Sequence, residues 1–171
     1  MKNCIIYEEG LEKFPISGVI LGNLVMVSWI ALGTIAVWFI SPLAAWFFLV
    51  FGILMVWVVL RRLVCVNCYY YGKRCALGWG KWASLFFKQG NTDKFKTSIG
   101  LKLAPATYGL LSAVPLVLVV VALFQGVTAA KIVVLVLLFA VSFYSAITSR
   151  RKSCTNCKMK LSCSGSIAKN E

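Results

Sequence analysis

The chain has 171 residues, of which 60% are hydrophobic and 13% are charged, and its formal net charge is +13. A soluble domain of this length cannot cover so much apolar material with so few charged side chains, so the composition indicates a membrane protein. The absence of histidine and the presence of only five acidic residues also exclude His-based triads and imidazole-ligated haem.

The first 15 residues form a short arm before the first apolar run. Tyr7, Leu11 and Phe14 recur in it at helical spacing, with acidic residues and a lysine between them. This pattern predicts an amphipathic helix that lies at the membrane interface or covers one end of a helix bundle. Cys4 also lies in this arm, and we expect it to be an idle small residue and not a metal ligand.

Four stretches of the chain carry no formal charge, and they cover residues 16–40, 43–60, 103–130 and 132–149. A helix needs about 20 mostly apolar residues to cross a hydrocarbon core of roughly 30 Å. The two 18-residue stretches can reach this length because flanking Arg and Lys side chains extend their charged ends to the interface. The sequence therefore predicts an all-α, polytopic protein with four transmembrane helices.

Small residues and prolines give finer expectations for the spans. Gly18 and Gly22 in the first span are four residues apart, a spacing that lets helix backbones approach closely, and Ser28 and Gly33 lie further along. Pro42 suits the first turn of the second span, where its missing N–H is harmless. Pro115 lies inside the third span, where we expect it to bend the helix.

A basic connector covers residues 76–102, between the second and third spans. Its aromatic residues recur at helical spacing next to lysines, which predicts an interfacial helix against anionic lipid headgroups. A mixture of basic and aromatic residues can also bind nucleic acid, but a membrane is already present for these tryptophans, so nucleic acid is not favoured. The predicted membrane-interface residues are Trp79, Trp82, Phe86, Lys81 and Lys88.

A short motif occurs twice in the chain. Residues 61–68 read RRLVCVNC, and residues 150–157, which lie 89 positions later, read RRKSCTNC. Each copy follows two apolar stretches, and each is followed by one more cysteine, at Cys75 and Cys163. We therefore predict a single membrane domain, 1–171, built from a duplicated two-helix unit. Its segments are repeat one (14–75), the connector (76–102), repeat two (103–163) and a tail (164–171).

The distribution of positive charge predicts the orientation. Of the 18 Lys and Arg residues, only Lys131 falls in a segment that four spans would place outside. Lys-rich and Arg-rich loops stay in the cytoplasm, so we expect both termini, the connector and the six motif cysteines on the cytoplasmic side. Thiols are kept reduced there, which favours metal binding or redox chemistry over structural disulfides.

The two cysteine motifs have the spacings C-x2-C-x6-C and C-x2-C-x5-C. Two cysteines separated by two residues can direct both sulfurs at one ion, and structural zinc takes four such ligands. Each motif has one ligand too few, so we predict one shared site, in which six thiolates hold two zinc ions through two bridging sulfurs. The predicted metal ligands are Cys65, Cys68, Cys75, Cys154, Cys157 and Cys163.

The first of these spacings resembles that of the fungal binuclear zinc-cluster domains, which use C-x2-C-x6-C twice. The resemblance covers spacing alone and does not imply DNA binding here, because 78 residues separate Cys75 from Cys154 in this chain. We also expect the arginines and lysines beside the cysteines to compensate the negative cluster and to lower the pKa of the thiols.

Two other uses of the thiols stay open. Iron–sulfur clusters are also held by cysteine thiolates, commonly four per cluster, and C-x2-C pairs are frequent in them. A membrane redox protein with reactive dithiols, or a protein that handles soft metals, would use the same residues. No acidic residue lies inside a span, and no glycine-rich phosphate loop occurs, so proton-relay, kinase and hydrolase functions are not favoured.

The favoured interpretation is an integral membrane protein that is not an enzyme. Its cytoplasmic zinc site would organise the ends of the helices. The protein would act as a membrane subunit or docking platform for a cytoplasmic or membrane protein partner, or as a homodimer.

Overall fold

The computed structural model describes residues 4–168, and this part of the chain is all-helical apart from one isolated β-bridge. The α-helices are α1 (Ile16–Trp38), α2 (Pro42–Ile53), α3 (Leu60–Leu63), α4 (Trp79–Phe86), α5 (Ile99–Phe124), α6 (Ala129–Tyr144) and α7 (Arg150–Thr155). A π-helical segment, Leu54–Val59, joins α2 to α3, and a second one, Ser145–Ser149, joins α6 to α7.

Four continuous helical stretches are long and apolar enough to cross a membrane: Ile16–Trp38, Pro42–Asn67, Ile99–Phe124 and Ala129–Thr155. They contain 23 to 27 residues, and at a rise of about 1.5 Å per residue each exceeds the hydrocarbon thickness. Large apolar side chains such as Phe47, Phe124 and Phe139 lie exposed on their outer faces. The prediction of four membrane-spanning helices is therefore confirmed in helix number, length and hydropathy.

The bundle is organised around α1, which packs against α2, α5 and α6, while α5 also packs against α6 and α3. Trp29, Val56, Leu111, Val119 and Leu138 belong to its buried core. One polar contact crosses this core: the indole N–H of Trp29 donates to the Ser142 hydroxyl at 3.1 Å. Because an apolar interior offers no water, such a satisfied pair fixes the position of α6 against α1.

The small residues of α1 serve two different contacts. A Cβ at Gly33 would lie 3.0 Å from the ring of Phe48 in α2 and 3.5 Å from Pro115 in α5, so this glycine permits close helix packing. A Cβ at Gly22 would instead lie 2.6 Å from Leu77 of the connector, and Gly18 faces only the Pro15 ring at 3.7 Å. The prediction of close helix–helix packing at Gly18 and Gly22 is therefore wrong: Gly22 makes room for the connector, and the close approach between helices occurs at Gly33.

On the side opposite the cysteines, the connections between the helices are short and the helix ends are capped. Ser41 caps α2 by accepting from the Ala44 N–H at 3.4 Å, and Pro42 occupies the first turn. Lys131 donates to the carbonyl oxygens of Ala122 and Gly126, at 2.7 Å each. It thereby satisfies carbonyl groups that the end of α5 leaves without helical partners. α5 itself runs unbroken through Pro115.

The prediction of a helix in the N-terminal arm is wrong. Residues 4–15 contain no helix and run along the second cysteine motif as an extended strap with one turn, at Glu8 and Glu9. The Tyr7 N–H donates to the Lys158 carbonyl at 2.8 Å, and the Leu11 N–H donates to the Asn156 carbonyl at 2.9 Å. Gly10 allows this approach, since a Cβ there would lie 2.7 Å from the Lys158 nitrogen. Backbone pairing with a distant segment therefore overrides the helical side-chain spacing.

Candidate metal centre at the cysteine-bearing end of the bundle

Two loops carry the motif cysteines, and both start where a long helix ends. The first cysteine loop (65–75) follows α3, and the second cysteine loop (154–163) includes the end of α7. In each loop the N–H of the second cysteine donates to the carbonyl of the first, at 3.3 Å from Cys68 to Cys65 and 3.1 Å from Cys157 to Cys154. The two C-x2-C segments therefore form the same type of turn, one in each loop.

Tyr70 joins the two loops and the N-terminal arm. Its side chain is 1% exposed, and its hydroxyl donates to the Leu11 carbonyl at 2.6 Å. The same oxygen accepts from the Lys158 N–H at 3.1 Å. Nothing in the sequence pattern indicated this role, because Tyr70 lies in a run of three tyrosines with no periodic signal.

The loops converge on one small buried core that Phe14, Tyr70, Phe95, Leu101 and Met159 form. The cysteines that pack against this core are Cys4, Cys68, Cys75, Cys157 and Cys163. Cys65 belongs to the neighbouring core of the bundle, where Cys75 also packs. The structure therefore brings residues of both motifs to one place, and it adds Cys4, which the sequence motifs did not include.

Burial controls the ionisation of the two central thiols. Burial raises the pKa of Cys68 well above its ordinary value, and it raises the pKa of Cys157 from 9.0 to about 11. Repulsion by a Cys75 thiolate adds to both shifts, so Cys75 lies close to thiols of both loops. The prediction that flanking cations lower the thiol pKa is wrong for these two residues, because loss of hydration raises it, and the opposing influence comes from backbone hydrogen bonds of Tyr70 and Met159 and not from Lys or Arg side chains.

All seven cysteines are reduced, with no disulfide among residues 4–168. Within the same residues, no three side chains of Cys, His, Asp or Glu are arranged as a group that could hold a metal ion. The assignment of the six motif cysteines as ligands therefore stays a prediction. What the structure contributes is the convergence of the two loops.

The predicted helix in the connector forms as α4, and part of it faces outward. Trp82 and Phe86 are exposed, at 43% and 63%, and their rings lie 5.0 Å apart. Lys81 and Lys88 are exposed beside them. These four residues form an outward aromatic and basic surface of the kind that interfacial helices present to lipid.

The structure places Trp79 elsewhere than expected. Trp79 is 8% exposed, and its indole N–H donates to Asn23 Oδ1 of α1 at 3.3 Å. The Arg61 guanidinium carbon lies 2.9 Å above the ring centroid. Gly78 precedes Trp79 with a φ of +71°, a left-handed conformation that turns the start of α4 inward. Trp79 therefore anchors the connector to the bundle and is not at its lipid-facing surface.

The pKa of Cys157 predicts how pH affects the metal-free protein. The unfolded chain releases this proton near pH 9, whereas the folded chain keeps it until about pH 11. The folded state then binds more protons than the unfolded chain in that window. The stability that Cys157 contributes is therefore fully present below pH 9 and is lost as the pH rises towards 11. Melting curves of chelator-treated protein across this range should show the decline, and Cys157→Ser should weaken it. A melting temperature that stays constant or rises would contradict this ionisation state.

Comparison of the chain with protein-family models, with curated proteins and with solved structures finds no match.

Proposed function

We propose that this integral membrane protein binds a structural metal centre, zinc in the first place, with thiolates from both cysteine loops. The centre would lie at the cytoplasmic ends of the helices and would hold the two loops and the N-terminal arm together. The observation that carries the proposal is the convergence of Cys68, Cys75, Cys157 and Cys163 on one buried core around Tyr70. No other part of residues 4–168 gathers side chains of comparable chemistry.

The choice of metal follows from the available ligands. The chain has seven cysteines and no histidine, and a site made only of thiolates suits zinc, which takes four of them in a closed tetrahedron. Two zinc ions on six thiolates would carry a net charge of −2. The arginines and lysines of both loops would compensate that charge. Metal binding would also displace the protons that burial keeps on Cys68 and Cys157.

Reactive dithiol chemistry is less well supported. Such chemistry needs a thiolate near neutral pH, whereas burial raises the pKa of both Cys68 and Cys157. An iron–sulfur cluster would use the same ligands as zinc and is the alternative that metal analysis must decide.

The two loops support the proposal of a duplicated unit. Their C-x2-C segments form the same type of turn. A π-helical segment also ends just before the double arginine of each motif: at Val59, with one residue between it and Arg61, in the first, and at Ser149, next to Arg150, in the second. π-helical segments are rare and frequently occur at functional sites. A duplicated unit would place both loops at equivalent helix ends, which is the arrangement that a shared centre needs.

At the membrane surface, the exposed side of α4 would contact anionic lipid through Trp82, Phe86, Lys81 and Lys88. The loops, once fixed by metal, would present a basic surface to a cytoplasmic or membrane protein partner or to a second copy of the chain. This is the docking role that we propose for the protein.

The proposed orientation predicts which thiols can be labelled from outside. Lys131→Cys and Val127→Cys should react with a membrane-impermeant maleimide in intact cells, because Val127 lies between α5 and α6 and Lys131 lies in the first turn of α6, at the end of the bundle that the proposed orientation puts outside. Val127 is 72% exposed, and its replacement leaves the capping bonds of Lys131 intact. Gln89→Cys in the connector should react only after the membrane is permeabilised. All variants are made in a chain whose own seven cysteines are replaced by serine, and that chain without an added cysteine serves as the blank. Labelling of the Gln89 position in intact cells would reverse the orientation.

Metal analysis of anaerobically purified protein tests the proposed function. We expect a colourless protein with stoichiometric zinc. A brown protein that contains iron would show that the metal centre is an iron–sulfur cluster and not a zinc site. A folded protein without any metal would contradict the metal centre as a whole.

A further inference from the structure

Arg61 is a buried arginine with incomplete hydrogen bonding. Its side chain is 3% exposed, and its Nε and Nη2 atoms are buried without a hydrogen-bond partner. The remaining nitrogen, Nη1, lies 3.9 Å from Cys65 Sγ, and the guanidinium covers the ring of Trp79. Buried polar groups are nearly always hydrogen-bonded in folded proteins, so two open donors on one side chain indicate a missing partner.

Among residues 4–168, no carboxylate pairs with the positive charge of Arg61. A guanidinium stays protonated in proteins, and the carboxylates of the described chain lie exposed in the arm and the connector, as Glu8, Glu9, Glu12 and Asp93. The Tyr108 hydroxyl interacts with the guanidinium but is a neutral group near pH 7. Cys65 Sγ lies beside the third nitrogen, Nη1, so it leaves the Nε–Nη2 edge without a partner whether or not the thiol binds metal. An unpaired buried charge is strongly unfavourable.

The two open nitrogens define the shape of the missing partner. Nε and Nη2 lie on the same edge of the planar guanidinium, and their N–H groups point in parallel. This edge matches two oxygens of one phosphate group in a bidentate pair. We propose that Arg61 is the receptor for one phosphate group, independently of the metal centre.

The surroundings of Trp79 favour a phospholipid as the source of this phosphate. Trp79 lines a cavity of about 280 Å³ together with Asn23, Trp57 and Trp82. A second, more apolar groove of about 360 Å³ shares Trp57 and Trp82 and continues along Phe86. Arg61 does not itself line this cavity, but the Trp79 ring contacts both the guanidinium and the cavity. In this proposal the Trp79 indole, which a 3.3 Å hydrogen bond to Asn23 holds, turns aside to admit the phosphate to the Nε–Nη2 edge. An acyl chain would then lie in the apolar groove.

The second motif supplies a matched control. Arg150 is the counterpart of Arg61 in the repeated sequence, but it is exposed and its Nη2 donates to the Gly165 carbonyl. An arginine that is hydrated and has a backbone partner needs no bound anion. The two residues therefore differ in burial and partnering, while their chemistry and motif position are the same.

Ligand binding to purified protein in a phosphate-free, uncharged detergent tests the proposal. Phosphatidylglycerol and inorganic phosphate are added separately, and binding is followed by native mass spectrometry and by the shift in melting temperature. We expect one phosphatidylglycerol per wild-type chain, at least tenfold weaker binding by Arg61→Gln, and unchanged binding by Arg150→Gln. If inorganic phosphate alone raises the melting temperature, and Arg61→Gln abolishes that rise, Arg61 is still a phosphate receptor, but its ligand is a soluble phosphate and not a lipid.

A second variant keeps the test decisive if Arg61→Gln does not fold. Arg61→Lys retains the charge but lacks two parallel donors, so it should fold and still bind phosphatidylglycerol at least tenfold more weakly. Equal binding by wild type and Arg61→Lys would overturn the proposal, and so would an equal loss in Arg150→Gln. Zinc content is measured on the same samples, so loss of the metal centre is distinguished from loss of the phosphate site.

Discussion

Replacing Cys68 with serine should remove far more than half of the bound metal. Cys68 lies where the first cysteine loop meets the second, and a Cys157 thiolate is close enough to influence its pKa. Each motif has only three thiols, so every four-thiolate shell needs both loops, and the loss of Cys68 weakens the convergence of the loops on which both zinc ions depend. Structural zinc binding is coupled to folding, and the melting temperature should fall with the metal content. Elemental analysis and melting curves of the purified variant measure both effects.

Two further variants control this result. Cys4→Ser changes a cysteine that packs against the same core but lies outside both motifs, and it should keep the full metal content. Cys157→Ser should behave like Cys68→Ser. If each of the two motif variants lost one half of the metal independently, the loops would hold separate sites and the shared centre would be wrong.

Gly80→Ala should be among the most destabilising single substitutions in this chain. A Cβ at this position would lie 1.8 Å from the Tyr70 carbonyl oxygen and 2.7 Å from that of Lys73. Both atoms belong to the backbone of the first cysteine loop, and the Gly80 carbonyl itself accepts from the Gly72 N–H at 3.0 Å. The loop cannot move away without losing this bond and the contacts of Tyr70. We expect a loss of about 3 kcal/mol, the upper end for overpacked sites, together with reduced metal content.

Gly109→Ala is the control for this substitution. Gly109 lies inside α5, and a Cβ there meets nothing within 4 Å. Alanine favours a helix over glycine by up to about 1 kcal/mol, so this change should leave the unfolding free energy equal or higher. Equal stability of the two variants would contradict the close packing of the connector against the first loop.

The features that the sequence predicted correctly depend on neighbouring residues. Long charge-free stretches determine where helices can cross a bilayer, and the four spans follow from them. The helical spacing of Trp82, Ala83 and Phe86 likewise appears directly in α4. In both cases hydropathy and periodicity act within one segment of chain, so no knowledge of distant contacts is needed.

The features that the sequence did not predict depend on distant residues. Tyr70 bonds to Leu11, 59 positions away, and to Lys158, 88 positions away. The arm has a helical side-chain pattern, but it forms an extended strap because its N–H groups pair with the second loop. Trp79 has the spacing of a lipid-facing residue, yet Arg61 and Asn23 hold it inside. No local pattern encodes these partners.

X-ray absorption at the zinc edge of the anaerobically purified protein tests the shared thiolate centre most directly. The account predicts that every zinc ion has four sulfur ligands at about 2.3 Å, although neither cysteine motif has more than three thiols. A shell containing nitrogen or oxygen ligands in place of the fourth sulfur would show that each loop binds metal alone, and it would contradict the centre that we propose.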